Sequence, residues 1–262
     1  FNLSGKTIGI IGVGNTGKKI QKIADLLGMK ILLNDPPRER EEGSEIFYSL
    51  GKIREEADII TLHVPLTFGG TDKTFHLLDE DFFAGPGLKP VILINTSRGA
   101  IVGSDVIKTA VQSGRIRKLV LDVWENEPVI DPELLGMTDI ATPHIAGYSL
   151  EGKANGTAMT VNTVSRFFNL DLHNWYPKLP GEMDELKIDC RGKSFQQILH
   201  TLFLNVYPIW KDSESLKENF ENFEELRRSY NFRRENTAYK LVPESCNKNT
   251  VETIKQFGFK TV

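Results

Sequence analysis

The sequence predicts an α/β fold in which a doubly wound parallel-sheet domain is followed by a small α+β domain. Short apolar runs rich in β-branched residues alternate with stretches of helical periodicity in the first part of the chain. Such nearly continuous apolar strands are typical of a parallel sheet covered by helices on both faces. Near Asn174–Gly181 the chain carries two prolines and a glycine, which predicts a linker before a second folded part.

The elements follow from hydrophobic periodicity. The predicted strands of the first part are Thr7–Ile11, Lys30–Leu33, Ala57–His63, Val91–Asn95, Leu119–Val123 and Asp139–Pro143. Helices are predicted over Gly17–Leu27 and Leu150–Phe168. Beyond the linker we predict strands over Glu185–Cys190 and Thr237–Val242, a helix over Phe195–Val206, and a helix or helix pair over Ser215–Arg234.

The composition argues against several classes of protein. The net charge of −3 gives no reason to expect nucleic acid or an acidic membrane as the partner. No apolar run is long enough to cross a bilayer. Cys190 and Cys246 are too few and too isolated to predict a disulfide framework or a metal site, which favours a reducing compartment, by default the cytoplasm. The chain begins at Phe1, so the lack of a signal sequence carries little weight.

A glycine pattern lies directly after the first strand and opens the first helix. In Gly12-Val13-Gly14-Asn15-Thr16-Gly17, the first glycine permits a tight turn and the second lets the backbone approach a pyrophosphate. The third allows close packing of helix on strand, and the free N–H groups of the helix start attract the anion. This context predicts a Rossmann dinucleotide site that uses Gly12, Gly14, Asn15, Thr16 and Gly17.

Asp35 ends the second strand about 20 residues further on, where a carboxylate accepts both ribose hydroxyls of NAD. The same carboxylate repels a 2′-phosphate, so we expect NAD rather than NADP. Arg38 is the one nearby feature that favours NADP.

Three polar clusters follow predicted strands: Asn95–Gly99, Asp122–Pro128 and Thr142–Gly147. In an open α/β sheet ligands bind beyond the carboxyl ends of the strands, so we expect the clusters to line one crevice. Oxidation of a 2-hydroxy acid needs a cation for the carboxylate and a base for the hydroxyl proton. Arg98 and His144 supply these groups. Glu127 can fix the tautomer of the imidazole, and Asp122 can accept from the nicotinamide carboxamide.

The other histidines are His63, His76, His173 and His200. Their spacing to acids and cysteines does not match a ligand set, so we predict no metal.

The motifs LSGKTIGIIGVGNTG, INTSRG, DVWENEP and TPHIAG, in this order with Asp35 at a strand end, resemble the D-isomer-specific 2-hydroxyacid dehydrogenase family. The resemblance covers about the first 150 residues. It implies that Arg98, Glu127 and His144 are the catalytic arginine, glutamate and proton-transferring histidine. These assignments agree with the chemical argument.

Within the family, NDPPR, HVPLTFGGTDKTFHLL and HIAGYSLEGKANGT are similar to a member that oxidises a small phosphorylated 2-hydroxy acid and forms a homodimer through its C-terminal domain. This resemblance implies that Tyr148 contacts substrate, that Gly147 and Asp122 face the cofactor, and that the Val64 backbone lies beside NAD. We expect an NAD-binding Rossmann domain over 1–149, a long helix and linker over 150–176, and an α+β dimerisation domain over 177–262.

Relatives carry most of the substrate domain ahead of the glycine turn, and that part is absent from this sequence. We therefore expect this chain to bind NAD but to turn over poorly.

Two arginine pairs, Arg227-Arg228 and Arg233-Arg234, could bind the substrate phosphate, since Arg offers a fork of donors. Because they lie in the expected dimerisation domain, one pair could reach the partner's active site. A solvated, charged helix face is the favoured interpretation of both pairs.

Two alternatives remain open from the sequence. One is another dehydrogenase of the family, of the phosphoglycerate, glyoxylate or formate type. The other is a non-catalytic, NAD-sensing interaction protein, as the related transcriptional corepressors suggest.

Overall fold

The computed structural model describes residues 2–43, 45–86, 88–179, 181 and 184–261. By their contacts the residues form two compact units. The first comprises Phe1–His144 and Trp210–Arg228, and the second comprises Ile145–Ile209 and Ser229–Val262.

The first unit is built on a parallel sheet of six strands, counted over the described residues. The strands are β1 (Thr7–Ile11), β2 (Lys30–Asn34), β3 (Ile59–Leu62), β4 (Val91–Asn95), β5 (Ile116–Leu121) and β6 (Ile140–Ala141). Their spatial order is β2-β1-β3-β4-β5-β6. The chain leaves β1 toward β2 and returns on the other side to β3, so a crevice opens beyond the carboxyl ends of β1 and β3.

The connections between these strands are mostly helical. They contain α1 (Asn15–Leu26), α2 (Pro36–Glu42), α3 (Leu50–Glu56), α4 (Glu80–Phe83), α5 (Ser104–Gln112) and α6 (Pro132–Met137). Most begin at a residue whose side chain accepts a backbone N–H, as Asp35 does for α2 and Asp131 for α6. The predicted doubly wound parallel-sheet fold is confirmed in this unit.

A later segment of the chain completes the first unit's core. It contains α10 (Phe223–Arg228) and most of α9 (Ile209–Glu218). Leu216 and Phe223 are almost fully buried in the same cluster as Leu93 and Leu121. Ser213 Oγ accepts the N–H of Ala141 at 3.0 Å. The predicted helix over Ser215–Arg234 is therefore wrong in its last part, because α10 ends at Arg228.

The second unit has its own small sheet. β7 (Asp184–Asp189), β8 (Tyr239–Glu244) and β9 (Lys260–Thr261) lie side by side and run parallel. The helices α7 (Leu150–Phe167), α8 (Phe195–Val206) and α11 (Lys248–Gln256) belong to this unit, and α11 and β9 were not predicted. The expected domain boundaries at 149 and 176 differ from these units, chiefly because residues 210–228 pack with the first one.

The two cysteines form a disulfide. Cys190 follows β7 and Cys246 follows β8, and the pairing of Asp189 with Glu244 brings the two Cα atoms to 5.0 Å. The sequence interpretation that they are too isolated for a disulfide is thus wrong, because parallel pairing joins residues that lie 56 positions apart. The two cysteines therefore no longer favour a reducing compartment.

Candidate active site

The glycine turn after β1 has the geometry of a phosphate-binding turn. Gly12 has a φ of +89°, and a Cβ there would lie 2.6 Å from the carbonyl carbon of His63. A Cβ on Gly17 would overlap the Gly12 carbonyl oxygen. Gly14 precedes α1 and makes no side-chain cap, and a Cβ there would meet nothing within 4 Å. The helix N-terminus therefore stays open to an anion, with Asn15 and Thr16 exposed in its first turn.

Asp35 ties the second strand to this turn. Its carboxylate accepts the N–H of Val13 at 2.8 Å and caps α2 through the N–H of Arg38. The Arg38 guanidinium donates to the carbonyl of Val13 at 2.7 Å and to Glu42 at 2.6 Å. This hydrogen bond with Glu42 raises the pKa of Arg38. Since Arg38 is engaged in these contacts, it offers less to a 2′-phosphate than the sequence suggested.

A cavity of about 540 Å³ lies beside the turn. Its lining includes Gly12, Gly14, Asp35, His63 and Val64. The cavity has the size of a cofactor pocket, and glycine is required where its wall meets the His63 backbone. The open N–H groups at the start of α1 and the Asp35 carboxylate beside the cavity fit a dinucleotide.

His63 is a wall residue that sequence reasoning had set aside. Its Nε2 lies 2.9 Å from Thr61 Oγ1. Burial lowers the pKa of His63 to about 4 from an ordinary 6.5, so the ring is neutral at neutral pH. A neutral ring adds no charge to the pocket wall.

Glu127 and His144 form a hydrogen-bonded pair. His144 Nδ1 lies 2.7 Å from Glu127 Oε2, and the other carboxylate oxygen accepts the Trp124 N–H at 2.8 Å. The Trp124 indole is buried and donates to the Thr142 carbonyl, which links the loops after β5 and β6. His144 adopts a left-handed φ of +56°. With Nδ1 committed to the carboxylate, Nε2 is the nitrogen left for proton exchange.

Arg98 lies on the loop after β4. The fully buried Asn95 holds this loop, since its amide donates to the Arg98 carbonyl at 2.9 Å and its oxygen accepts from Ser97. A Cβ on Gly99 would overlap the peptide between Trp124 and Glu125. The loop that carries Arg98 therefore packs directly on the loop that leads to Glu127.

A further contact of the loop that leads to Glu127 was missed by sequence reasoning. Glu125 accepts the N–H of Ser104 at 2.8 Å and pairs with His76 at 2.9 Å. Burial acts to raise the pKa of Glu125, but the Ser104 N–H and the His76 ring outweigh it and lower that pKa below its usual range. The only signal in the sequence was His76 itself, and a single histidine beside apolar residues does not indicate a partner.

Asp122 lies at the same edge of the sheet and is 3% exposed. Its carboxylate accepts from Thr142 Oγ1 at 2.7 Å, and its N–H donates to the Asn95 carbonyl. The structure thus brings together the three polar clusters that follow β4, β5 and β6.

Comparison with known sequences decides the family. Residues 1–146 match the profile of the D-isomer specific 2-hydroxyacid dehydrogenase, NAD binding domain. The chain belongs to this family of dehydrogenases. A second profile, described only as a domain of unknown function, matches residues 181–258.

Curated members of the dehydrogenase family align with nearly the whole chain. Erythronate-4-phosphate dehydrogenase of Bacteroides thetaiotaomicron is 46% identical over 90% of this chain and 65% of its own length. The enzyme of the same name from Edwardsiella ictaluri is 39% identical over 98% of this chain and 69% of its own length. The chain thus spans about two thirds of the length of these relatives.

Solved structures of dehydrogenases in this family share the fold. D-lactate dehydrogenase from Aquifex aeolicus, complexed with NAD and lactic acid, aligns with a TM-score of 0.53 and 30% identity over 67% of this chain and 58% of its own. Apo D-mandelate dehydrogenase of Rhodotorula graminis aligns with a TM-score of 0.54 and 31% identity, over 64% of this chain and 49% of its own. The expected family, its NAD-binding domain and the Rossmann-like fold are therefore confirmed.

Some candidate residues belong to the second unit. Gly147 is exposed and Tyr148 is half-buried, and both lie in the turn before α7. Arg227 and Arg228, by contrast, end α10 and belong to the first unit. Arg233 and Arg234 lie outside any helix, and their guanidinium groups bind backbone carbonyls and Glu151. The favoured interpretation of the second pair as a solvated helix face is wrong.

Two other kinds of site are absent from the residues that the structure describes. In this part of the chain, no helix combines the length and the apolar character needed to span a membrane. Within the same residues, no group of three or more His, Cys, Asp or Glu side chains has the arrangement of a metal site.

Proposed function

We propose that the protein oxidises 4-phospho-D-erythronate at C2 to the corresponding 2-oxo acid with NAD, a step that the family resemblance assigns to pyridoxine biosynthesis. The names of its relatives support the substrate. The observation that carries the chemistry is the hydrogen-bonded pair of Glu127 and His144, at 2.7 Å, beside the loop of Arg98.

His144 is the base in this proposal. Glu127 accepts the Nδ1–H, which leaves the Nε2 lone pair to take the proton of the C2 hydroxyl. As that O–H bond breaks, a C–O double bond forms and the hydrogen on C2 departs with its electron pair. NAD, when bound, accepts this hydride.

Arg98 binds the substrate carboxylate. Its loop is held by Asn95 and by the packing of Gly99, so the guanidinium is carried on a fixed backbone. Tyr148 contacts the substrate in this proposal.

The residues of the glycine turn would hold the cofactor. The N–H groups at the start of α1, with Asn15 and Thr16, bind the pyrophosphate. Asp35 binds the adenosine ribose, and Val64 lies beside the cofactor through its backbone. Asp122 and Gly147 face the nicotinamide end.

The test is oxidation of erythronate 4-phosphate by the full-length protein, followed through NADH absorbance. His144→Asn should lower kcat by about 10²- to 10⁴-fold, the usual contribution of a general base. Glu127→Gln removes the carboxylate but keeps the shape of the side chain, and should lower kcat by at least about tenfold while NAD still binds.

A substrate panel with 3-phosphoglycerate and glyoxylate discriminates among dehydrogenases of the family. Higher kcat/KM on either compound would contradict the proposed substrate. NAD binding without hydride transfer to any substrate, together with stable binding to another protein, would favour the NAD-sensing alternative.

We also propose a homodimer that acts on a small molecule without a membrane or nucleic acid as partner. Sedimentation of the full-length protein tests the dimer. The cytoplasm remains our prediction for its location, although the Cys190–Cys246 disulfide removes one of the arguments for it.

A further inference from the structure

The turn that follows His144 presents several backbone carbonyls to one side. It comprises Ile145–Tyr148 and closes through the N–H of Tyr148, which donates to the Ile145 carbonyl at 2.8 Å. Carbonyls in such a turn lack the regular partners of a helix or sheet and need other donors. The next residue, Ser149, caps α7 by accepting the N–H of Gly152.

Arg233 supplies donors to this turn from a distant part of the chain. Its Nη1 donates to the carbonyls of Ile145 at 3.0 Å and Tyr148 at 3.4 Å, and its Nη2 donates to Ala146 at 2.5 Å. The guanidinium also lies 4.4 Å from the ring centre of Tyr207. Arg suits this role because its planar fork can reach several acceptors at fixed angles, which a lysine ammonium cannot do.

The two residues after Arg233 strengthen the same attachment. Arg234 Nε donates to Glu151 at 2.6 Å, and the N–H of Glu235 donates to the other oxygen of that carboxylate at 2.8 Å. Ser149 Oγ donates to Glu235 at 2.6 Å. We call Arg233, Arg234 and Glu235 the Arg233 clamp.

Backbone pairing and an aromatic contact extend the attachment. The N–H of Leu150 donates to the Arg233 carbonyl at 2.9 Å. Tyr148 packs edge-on against Phe232 at 5.7 Å, and Lys153 Nζ lies 3.8 Å from the Tyr148 ring centre. The clamp therefore fixes the backbone of the turn, while Phe232 and Lys153 contact the Tyr148 side chain.

We infer that Arg233 is a positioning residue for the proposed dehydrogenase reaction, because it holds the backbone that continues directly from His144 and carries Tyr148. The inference rests on the proposed function. It also gives a role to residues 181–258, which match the domain of unknown function and contain the whole clamp. This use of Arg233 replaces the earlier hypothesis that it binds the substrate phosphate.

The test compares Arg233→Lys and Arg233→Ala in the full-length protein. Both should lower kcat at least about tenfold, since a displacement near 1 Å at a reacting group costs up to about a hundredfold. The KM for erythronate 4-phosphate should rise, and the Kd for NAD should stay within about twofold, because the residues proposed to hold its pyrophosphate and its adenosine ribose lie in the first unit. Added guanidinium ion should restore part of the kcat of Arg233→Ala.

Arg191→Ala is the matched control, since Arg191 is an exposed arginine of the same unit. It should leave kcat and KM unchanged. An unchanged kcat and KM in Arg233→Lys would overturn the inference, as would an equal loss in Arg191→Ala. If Arg233→Ala does not fold, Arg233→Lys decides, because it keeps the charge and the aliphatic stem.

Amide hydrogen exchange separates the inference from the proposed function. Loss of the clamp should speed exchange over residues 145–152 at least about tenfold, whatever substrate the protein uses. Unchanged exchange there in both variants would overturn the clamp. A wild-type protein that does not oxidise erythronate 4-phosphate would instead contradict the proposed function, and the exchange result would then stand as the test of the clamp.

Discussion

Replacing Gly12 by alanine tests whether the turn after β1 needs a glycine for its backbone. The new Cβ would lie 2.6 Å from the His63 carbonyl carbon, and ordinary contact begins at 3.4 Å, so one of the two segments must move by 3.4 − 2.6 = 0.8 Å. The φ of +89° adds a cost of about 1–2 kcal/mol for a residue with a Cβ. Overpacking against backbone adds about 1–3 kcal/mol. We expect Gly12→Ala to lower the free energy of unfolding by about 2–5 kcal/mol in total.

Gly14→Ala provides the contrast, because Gly14 has a φ of −73° and open space around its missing Cβ. This variant should keep the stability of the wild type. It should nevertheless weaken NAD binding at least about tenfold, since the methyl group occupies the space through which the backbone approaches the pyrophosphate. Gly136→Ala, also without neighbours within 4 Å, should change neither quantity.

Urea unfolding and titration calorimetry with NAD measure the two effects on the 262-residue chain. A Gly12→Ala variant as stable as Gly14→Ala would show that the turn does not need glycine at position 12. A Gly14→Ala variant that binds NAD as tightly as the wild type would show that the cofactor does not approach the backbone at position 14.

Three further outcomes are expected. Asp35→Ala should remove about 1 kcal/mol of helix-capping free energy. It should also weaken the binding of NAD at least about tenfold while the binding of NADP changes little. A variant that still strongly prefers NAD in calorimetry would contradict this. His63 has a pKa of about 4 when folded and 6.5 when unfolded, so the unfolded state binds more protons between these values and stability falls as pH drops through this window. The wild type should lose less than about 3 kcal/mol of stability in this window, since the ring is partly exposed, and His63→Gln should not show this loss. Thermal melts at a series of pH values measure it, and the same pH dependence in the wild type and the variant would contradict the prediction. Reduction of the Cys190–Cys246 disulfide, which joins residues 56 positions apart, should destabilise the second unit by about 4 kcal/mol, and an unchanged urea midpoint after reduction would contradict this.

The sequence predicted those parts of the fold whose cause is local. The runs that became β1 and β4 are mostly apolar and rich in β-branched residues, and the structure places them where expected. The glycine turn followed from three glycines in a strand-to-helix context, and Asp35 from its distance along the chain. In each case the physical requirement is carried by residues close together in sequence.

Contacts between residues that lie far apart in the sequence could not be predicted from local patterns. The Cys190–Cys246 contact exists because β7 and β8 run parallel, and no pattern around either cysteine specifies that pairing. α2 begins with Pro36 and Pro37, and it was not among the predicted helices. Proline is nevertheless well suited to the first turn of a helix when Asp35 supplies the cap.

The candidate site shows the same division. The catalytic set could be proposed because each side chain follows a strand and the sheet gathers those ends. The pairing of His76 with Glu125, and the attachment of Arg233 to Ile145, join residues 49 and 88 positions apart. Their sequence neighbourhoods contain neither a glycine pattern nor a periodicity that would single them out.

The burial of Leu216 and Phe223 in the first unit's core affects how the protein is made. A nascent chain that has emerged only as far as His144 has all six strands of that sheet, yet it leaves the hydrophobic pocket for these two side chains open to water. Their burial contributes about 3–6 kcal/mol together, a large share of the stability of an ordinary domain. The nucleotide-binding half therefore reaches its final stability only after the ribosome has released Arg228, and a chaperone that shields the vacant pocket until then would raise the yield.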